Sequence, residues 1–202
     1  MTLAPVILAA GASRRLGEPK ALADLGGQSV LERLSGALGG ISSRPLVITG
    51  CHDQEIRHHA LRLALTVEVA FNPSWADGRT SGVALAAGQR PGADLLICPA
   101  DVPLVGAPLM EALATRWQEL GCPGAGWLAP STALPGSRGR RYGHPIILGA
   151  DLAALASGLS PDASLRSLRD RAAPIATVET ADPGIHDDLD TPEDLRRLRA
   201  RL

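Results

Sequence analysis

Residues 8–20 of the chain, LAAGASRRLGEPK, combine small side chains with cations. The chain has 20 lysine and arginine residues, and Lys20 is the only lysine among them. Small side chains let main-chain N–H groups approach an anion closely, and a glycine can adopt backbone angles that other residues avoid. These features predict a phosphate-binding loop that follows a strand. The residues predicted to contribute are Leu8, Ala9, Ala10, Gly11, Ala12, Ser13, Arg14, Arg15 and Lys20.

A second interpretation of this segment is a plain strand-to-helix turn, in which Gly11 allows the bend and the arginines are solvated. The spacing differs from the Walker A motif GxxxxGKS/T and from the dinucleotide motif GxGxxG, so neither a P-loop NTPase nor a Rossmann dehydrogenase is indicated. Lys20 favours the phosphate loop, because a planar guanidinium does not reproduce the compact point charge of an ammonium group.

Carboxylates follow one apolar run of the sequence and precede its last segment. Asp101 comes directly after residues 94–100, DLLICPA, and Asp187, Asp188 and Asp190 lie in IHDDLDTPEDL. A nucleoside triphosphate needs Mg²⁺, which binds one or two carboxylates together with phosphate oxygens and water. Asp101 and Asp190 are therefore predicted to share Mg²⁺, with Asp188 as the alternative to Asp190. A turn or helix cap explains Asp101 as well, and favourable helix N-terminal electrostatics explains the other three.

A third segment, NPSWADGRTSG, leads from one predicted strand into a predicted helix. Main-chain N–H groups at the helix start, around Gly78, Thr80 and Ser81, are suited to a base edge or a phosphate. Alternatively Thr80 or Ser81 caps the helix, and both interpretations can hold together. His144 has no second titratable partner nearby in the sequence, which favours a structural histidine over a general base. The three tryptophans are widely spaced and are predicted to be packing residues.

Short apolar runs alternate with helix-like segments in the first half of the chain. Ser29 and Glu32 predict a capping box, Asp53 a helix N-cap, and Thr191 with Pro192 the start of a terminal helix. This βαβαβαβα order predicts a doubly wound, mostly parallel α/β sheet with helices on both faces. Ligands of such sheets bind at the carboxyl ends of the strands. The predicted strands lie near residues 5–9, 45–49, 66–71 and 94–100.

The second half of the sequence is less regular. WLAP, PIILG and PIATVET are predicted strands, and GADLAALASGL and ASLRSLRDRA are predicted helices. Residues 131–144, STALPGSRGRRYGH, have the composition of a mobile loop or hairpin over a site. Because no composition shift marks a linker, we expect a single domain over residues 1–202, with a nucleotide-binding half of about 1–105 and an acceptor-binding half of about 106–202.

Charge and composition restrict the partners. A net charge of −1 gives no broad attraction to nucleic acid or to an anionic membrane, so neither is an expected partner. Three cysteines without CxxC spacing indicate neither a disulfide framework nor a zinc site. The N-terminal segment lacks a basic region, and its apolar run stops at Gly11, far short of the roughly 20 residues that span a bilayer. The expected location is the cytoplasm.

Five segments of the chain together resemble the MobA-like NTP transferase family, and within it the molybdenum cofactor cytidylyltransferases more than the guanylyltransferases. LAAGASRRLGEPKAL corresponds to the family's LAAGxSxRMGxxK loop, and DDLDTPEDL to its DIDTPED ending; these two are the specific ones. NPSWADGRTSG, PADVPLV and YGHPIIL correspond to its Asn-to-Gly-Ser, GDxP and GNPVLF segments. The match runs through most of the chain.

The resemblance implies the fold of the nucleotide-diphospho-sugar transferases and a nucleoside triphosphate bound on the glycine loop. It places Lys20 near the phosphates and Mg²⁺ at Asp101 and Asp190, and an acceptor phosphate attacks the α-phosphorus. Lys20, Arg15 and Asp101 are then the expected catalytic residues. It adds Pro99 to the nucleotide-binding residues and implies that the acceptor-binding residues are Tyr142, Gly143 and His144.

The implied reaction is transfer of CMP from CTP to molybdopterin, with release of pyrophosphate. Ala10, which makes the loop LAAG rather than LAGG, favours CTP over GTP. A molybdoenzyme or its chaperone is a further candidate partner. The alternatives are transfer to a sugar or polyol phosphate, and a nucleotide- or cofactor-binding chaperone without turnover. Leu16 and Ala100 depart from the family's methionine and glycine, and LSPDASLRSLRD matches poorly the family's acceptor-side segment GDxGAR.

Overall fold

The computed structural model describes residues 2–42, 44–134, 136, 139–160 and 163–202. In these ranges eight strands form one mixed sheet, and seven α-helices accompany it. The strands are β1 (Leu3–Ala9), β2 (Leu46–Thr49), β3 (Glu68–Phe71), β4 (Asp94–Pro99), β5 (Trp127–Ala133), β6 (Arg140–Tyr142), β7 (Ile146–Leu148) and β8 (Ile175–Glu179). The helices are α1 (Val30–Ala37), α2 (Asp53–Arg62), α3 (Arg79–Gln89), α4 (Ala107–Glu119), α5 (Ala150–Ala154), α6 (Arg166–Arg169) and α7 (Pro192–Arg199).

The strand order is β3-β2-β1-β4-β7-β5-β6, and β8 pairs with β5. The strands β3, β2, β1 and β4 are mutually parallel, and β8 is parallel to β5. β7 runs antiparallel to both β4 and β5, and β6 runs antiparallel to β5. The predicted doubly wound, mostly parallel sheet is confirmed, and the antiparallel pairs are confined to the second half of the chain.

Helices cover both faces of the sheet, as predicted. Alternate residues of a strand point to opposite faces, and Ile7 of β1 and Leu96 of β4 lie in a core with α1, α2, α4 and α7. Val6 and Ile97, from the same two strands, lie in a second core with α3, α5 and α6. All four of these side chains are fully buried, which explains why the strand sequences are continuously apolar.

The predicted caps of α1 and α7 are present. Ser29 and Glu32 exchange both hydrogen bonds of a capping box at the start of α1. Thr191 forms the equivalent box with Asp194 at the start of α7, whose first residue is Pro192. These boxes satisfy main-chain donors that the first helical turn leaves unpaired.

The predicted N-cap of α2 at Asp53 is wrong by one residue. The N-cap is His52, and Asp53 is the first helical residue. The Asp53 carboxylate accepts hydrogen bonds from Thr49 and from Arg57, the latter at 2.9 Å. Because these partners occupy the carboxylate, it does not cap the helix.

The second half follows the predicted order with shorter helices. The predicted helix GADLAALASGL divides into α5 and a 3-10 turn at Leu155–Gly158, and ASLRSLRDRA contains only the four-residue α6. The loop or hairpin predicted over residues 131–144 is the hairpin of β5 and β6. Residues 135, 137 and 138 of this hairpin, and residues 161 and 162 before α6, lie outside the described residues. No helix in the described ranges has both the length and the apolar character needed to cross a membrane.

Candidate functional site

Main-chain hydrogen bonds bring the predicted site segments together at the carboxyl ends of β1, β2 and β4. The Ala100 amide donates to the Leu8 carbonyl at 3.0 Å, and the Cys51 amide donates to the Ala10 carbonyl at 3.1 Å. The Leu189 amide donates to the Asp101 carbonyl at 2.7 Å. This last bond joins the acidic segment before α7 to the end of β4, although the two are far apart in sequence.

A cavity of about 300 Å³ opens at these strand ends and is called the first cavity below. The loop after β1, the start of α3 and the segment after β4 all contribute to its lining. Predicted site residues that line it are Leu8, Ala9, Ala10, Gly11, Ser13, Arg14, Arg15, Lys20, Gly78, Pro99, Asp101 and Asp190.

The loop after β1 closes on itself through Ser13. The Ser13 hydroxyl accepts a hydrogen bond from the Lys20 amide at 3.1 Å, and the Ser13 carbonyl accepts from the Leu16 and Gly17 amides. Ser13 and Gly17 have positive φ, of 49° and 84°. The unusual backbone angles expected at Gly11 therefore occur at Ser13 and Gly17 instead. A Cβ at Gly11 would meet no protein atom within 4 Å, so its absence leaves the main chain open to the first cavity.

Lys20 lies at the centre of an ion-pair network. Its ammonium nitrogen Nζ donates to Asp190 Oδ1 at 2.5 Å and lies 3.9 Å from Asp101 Oδ2. Arg15 contacts the second oxygen of Asp190 at 2.8 Å, and Arg79 donates to Asp101 Oδ2. Only 19% of the Lys20 side chain is exposed, so these charges interact more strongly than surface pairs do. This network thus joins two carboxylates and three cations at the first cavity, which Arg14 also lines.

The acidic residues before α7 differ in their partners. The hydrogen bond from Lys20 lowers the pKa of Asp190. Burial, followed by the nearby Asp101 and Asp190 carboxylates, raises the pKa of Asp188. Asp187 is turned away from the cavity and pairs with Arg197 and Arg201 at the C-terminal helix. Asp190 therefore lines the first cavity and Asp188 lies close enough to sense its carboxylates, whereas Asp187 holds α7 in place.

A second cavity of about 460 Å³ adjoins the first. It contains all three predicted acceptor residues, Tyr142, Gly143 and His144, together with Thr80. Its charged lining residues in the described part of the chain are Asp77, Arg79, Arg166 and Arg169, so cations outnumber acids. The Arg169 guanidinium lies 4.3 Å from the centre of the Tyr142 ring, in a cation–π contact.

His144 cannot supply a positive charge to the second cavity at neutral pH. Burial, with the nearby Arg79 as a further cause, lowers the pKa of His144 to about 4. Its Nδ1 atom is buried and has no hydrogen-bond partner among the described residues. A pKa this low makes the imidazole a weak base, and the role of His144 stays a prediction.

Three predicted nucleotide-binding residues lie outside the first cavity. The Ala12 carbonyl is 3.2 Å from His52 Nε2, and the Thr80 hydroxyl donates to the Ala163 carbonyl at 2.6 Å. The Ser81 hydroxyl donates to the carbonyls of Ser74 and Gly78. Neither hydroxyl caps α3, whose N-cap is Gly78 with a φ of 107°. These side chains stabilise the walls of the site.

Sequence reasoning missed three residues that bring a ring or a charge to the first cavity: His52, Trp75 and Arg79. His52 follows β2, and the rule that ligands bind at strand ends would have found it. Trp75 was expected to be a packing residue like Trp117 and Trp127, which are buried, but it is partly exposed and lines the cavity. Arg79 belongs to a segment that was singled out, but its charge was not used.

The carboxylates of Asp101 and Asp190 are the candidate metal ligands at this site. No group of three histidine, cysteine, aspartate or glutamate residues in the described ranges is arranged to hold a metal ion by itself. Asp101 Oδ1 is buried and lacks a hydrogen-bond partner among those residues. One or two carboxylates completed by phosphate oxygens and water is the coordination that Mg²⁺ prefers. The donor set fits a metal that enters together with a nucleotide.

This chain is similar to a curated protein in sequence and to many solved structures in fold. A probable molybdenum cofactor guanylyltransferase of Bacillus velezensis is 38% identical over 115 residues, which are 55% of this chain and 54% of that protein. The match thus spans about half the length of the curated relative. A nucleotidyl transferase from Methanothermobacter thermautotroptrophicus has a TM-score of 0.77 at 22% identity, covering 99% of this chain and 97% of that one.

A 2-C-methyl-D-erythritol 4-phosphate cytidylyltransferase from Thermus thermophilus has a TM-score of 0.74 at 19% identity, covering 100% of this chain and 98% of that one. At such identities the two solved structures establish the fold alone. The MobA-like NTP transferase domain matches residues 5–176. The preference for CTP stays a prediction, since the curated relative is named a guanylyltransferase. With the family pattern extending over most of its length, the chain belongs to the MobA-like NTP transferases.

Proposed function

We propose that this protein transfers a nucleoside monophosphate from a nucleoside triphosphate to a phosphate-bearing acceptor and releases pyrophosphate. The observation that carries the proposal is the position of Lys20, held within 3.9 Å of the carboxylates of Asp101 and Asp190 beside the small-residue loop. Main-chain N–H groups, an ammonium group and carboxylates in one cavity are the parts that phosphoryl-transfer sites share.

The reaction needs little acid–base chemistry from the protein. An acceptor phosphate oxygen, already anionic at neutral pH, forms a bond to the α-phosphorus while the bond from that phosphorus to the bridging oxygen breaks. Pyrophosphate leaves with the electron pair of the broken bond. The cations Lys20, Arg14 and Arg15 offset the negative charge of the phosphates. The loop holds the phosphates in line with the attacking oxygen.

We propose that Asp101 and Asp190 hold Mg²⁺ when the nucleotide binds, with Asp188 as the alternative to Asp190. The unpartnered Oδ1 of Asp101 supports this role, because a buried carboxylate oxygen without a donor favours a cation. The metal would neutralise charge on the phosphates of the nucleotide. Lys20 and Arg15, which now pair with Asp190, would then be released toward the phosphates.

The proposed acceptor is molybdopterin, bound in the second cavity. Support comes from the name of the curated relative and from the surplus of arginines in this cavity, which suits a phosphate-bearing molecule. Tyr142, Gly143 and His144 are the proposed acceptor-binding residues. A molybdoenzyme or its chaperone is the proposed recipient of the product.

CTP is the proposed donor, in preference to GTP. Ala10 lines the first cavity, so its methyl group occupies space that glycine would leave free. We also place the protein in the cytoplasm, which is supported by its three free cysteines, Cys51, Cys98 and Cys122.

The experiment that tests the proposed function is a screen of four nucleoside triphosphates against three acceptors with Mg²⁺, read out as pyrophosphate. The acceptors are molybdopterin, a sugar 1-phosphate and a polyol phosphate. Release from CTP with molybdopterin supports the full proposal, and release with another acceptor replaces molybdopterin by that acceptor. Nucleotide binding without pyrophosphate from any pair contradicts the enzyme and favours a binding protein.

A further inference from the structure

Arg79 lies where the two cavities meet. In the described part of the chain, only Gly78 and Arg79 line both cavities. Gly78 has a φ of 107°, a backbone conformation suited to glycine, and Arg79 is the first residue of α3 directly after it. The position of Arg79 is therefore fixed by a turn and a helix, and it brings a charged side chain to the shared wall.

The present partner of Arg79 is exchangeable. Its guanidinium donates to Asp101 Oδ2, which also lies 3.9 Å from the Lys20 ammonium. The Arg79 side chain is 55% exposed, and the Asp101 side chain is 11% exposed. Because Arg79 is the exposed partner, its guanidinium does not become a buried unpaired charge when it leaves this pair. In the proposed complex with the nucleotide, Mg²⁺ would be the cation beside Asp101 when Arg79 leaves.

The proposed reaction places two anions at this junction. The acceptor phosphate has to approach the α-phosphate of the nucleotide, and their repulsion is largest where the two cavities join. Lys20 belongs to the first cavity, and Arg166 and Arg169 belong to the second. A guanidinium binds phosphate with two parallel hydrogen bonds, which both neutralises and orients it.

We propose that Arg79 binds the phosphate of the acceptor, exchanging Asp101 for that phosphate when the acceptor enters. This inference rests on the proposed function and adds the residue that aligns its attacking group. Arg79 forms and breaks no covalent bond. It holds the attacking oxygen toward the α-phosphorus and offsets its charge.

The test measures phosphate binding with the first cavity filled. The α,β-methylene analogues of CTP and GTP cannot release pyrophosphate, so the protein is saturated with whichever binds more tightly, and inorganic phosphate is titrated by calorimetry. Arg79→Gln should weaken phosphate binding by about 10-fold or more, equivalent to ~1.4 kcal/mol. The dissociation constant of the analogue should change by less than about 3-fold, and Arg79→Lys should be intermediate in phosphate affinity.

Arg90→Gln is the matched control. Arg90 follows the other end of α3, pairs with Glu68 at 2.7 Å and lines neither cavity. It should leave both affinities unchanged. Unaltered phosphate affinity in Arg79→Gln, or equal loss in Arg90→Gln, overturns the role of Arg79 while the proposed function stands. A wild-type protein that binds neither analogue contradicts the proposed function, and the role of Arg79 fails with it.

Discussion

The two cavities differ in how their charges are balanced. In the first, the cations Lys20 and Arg15 are paired with Asp190. In the second, Arg169 lies over an aromatic ring. Cations outnumber acids among the described lining residues of both cavities, so the difference lies in how the cations are paired. An anion that enters the first cavity has to rearrange ion pairs, whereas one that enters the second meets positive charge directly.

This difference suits the two substrates of a transfer reaction. In the proposed reaction, a nucleotide that arrives with Mg²⁺ would supply a cation for the carboxylates and phosphates for the released lysine and arginine, so new ion pairs would replace the old ones. An acceptor arrives without a metal and needs surplus positive charge. The two cavities therefore predict different mutational effects, which are largest in the first.

The largest expected effect is that of Lys20→Ala. Removal of an ammonium group that stabilises charge in the transition state should lower kcat by ~10²–10³-fold. Lys20→Arg should restore little activity, because the guanidinium does not reproduce the point charge. Steady-state pyrophosphate release measures both. Arg116→Ala, which removes a surface pair with Glu119, is the control and should keep wild-type turnover; wild-type turnover in Lys20→Ala would place the essential charge elsewhere.

The next largest effects on the rate are expected for substitutions of the two carboxylates. Asp101→Asn and Asp190→Asn should each lower the rate by about 10²-fold and raise the Mg²⁺ requirement, as expected when a metal ligand is lost. The rate of the double variant should fall by a factor far smaller than the product of the two single-variant factors, because the residues act as a unit.

The neighbouring aspartates provide the controls. Asp187→Asn should lower the melting temperature through loss of its pairs with Arg197 and Arg201, with little change in rate. A larger loss of rate in Asp188→Asn than in Asp190→Asn would move the second metal ligand to Asp188. Simple multiplication of the single losses would assign Asp101 and Asp190 to separate roles.

Sequence patterns predicted the first cavity better than the second, for a physical reason. Its loop, its lysine and Asp101 directly follow buried strands, and parallel strands bring such positions to one edge. Asp190 was predicted as the second metal ligand with Asp188 as the alternative, and its position at the first cavity depends on the tertiary hydrogen bond from the Leu189 amide to the Asp101 carbonyl. Local patterns therefore located the site, and packing selected among its carboxylates.

The second cavity depends on contacts between distant segments. Arg166 and Arg169 lie on a four-residue helix in a segment that matched the family poorly, and no local pattern places them against Tyr142. The expected division of the chain into two halves near residue 105 stays a prediction, although each cavity is lined by residues from both sides of that position. Asp190 reaches back to the first cavity, and Arg79 forms part of the second.

Base preference tests the first cavity alone. CTP should be used at least ~10²-fold better than GTP in kcat/KM, because a site that satisfies cytosine leaves buried groups unpaired against guanine. Ala10→Gly should reduce the preference, and Ala12→Gly, which alters a residue outside the cavity lining, should not. Equal use of both nucleotides, or a preference for GTP, would overturn the cytidylyl assignment and leave nucleotidyl transfer standing.

Loss of a cation from the second cavity should weaken the binding of the acceptor and leave the binding of the nucleotide unchanged. Arg169→Gln should raise the KM for the acceptor by about 10-fold, the value of one charge-assisted hydrogen bond, and leave the KM for the nucleotide unchanged. Arg171→Gln, which removes an exposed arginine that does not line the cavity, is the control. An equal rise in both KM values would show that the two cavities bind as one site.

The smallest effect on activity is expected at His144. Burial lowers its pKa from the usual 6.5 to about 4, so the imidazole is neutral near pH 7. His144→Gln keeps a neutral polar side chain for the proposed acceptor contact and should change turnover by less than about 2-fold. The unfolded chain binds this proton at higher pH than the folded chain does, so the stabilisation present above pH 6.5 is lost as the pH falls toward 4. The loss of stability should reach at most about 3 kcal/mol.

Melting temperatures between pH 4 and pH 7 should therefore fall less steeply in His144→Gln than in the wild type. The control His58→Gln, which replaces an exposed histidine on α2, should follow the wild type. Parallel curves for all three proteins would mean that the pKa of His144 is the same in the folded and the unfolded chain, and the imidazole would then become a further cation of the second cavity only below about pH 6.5.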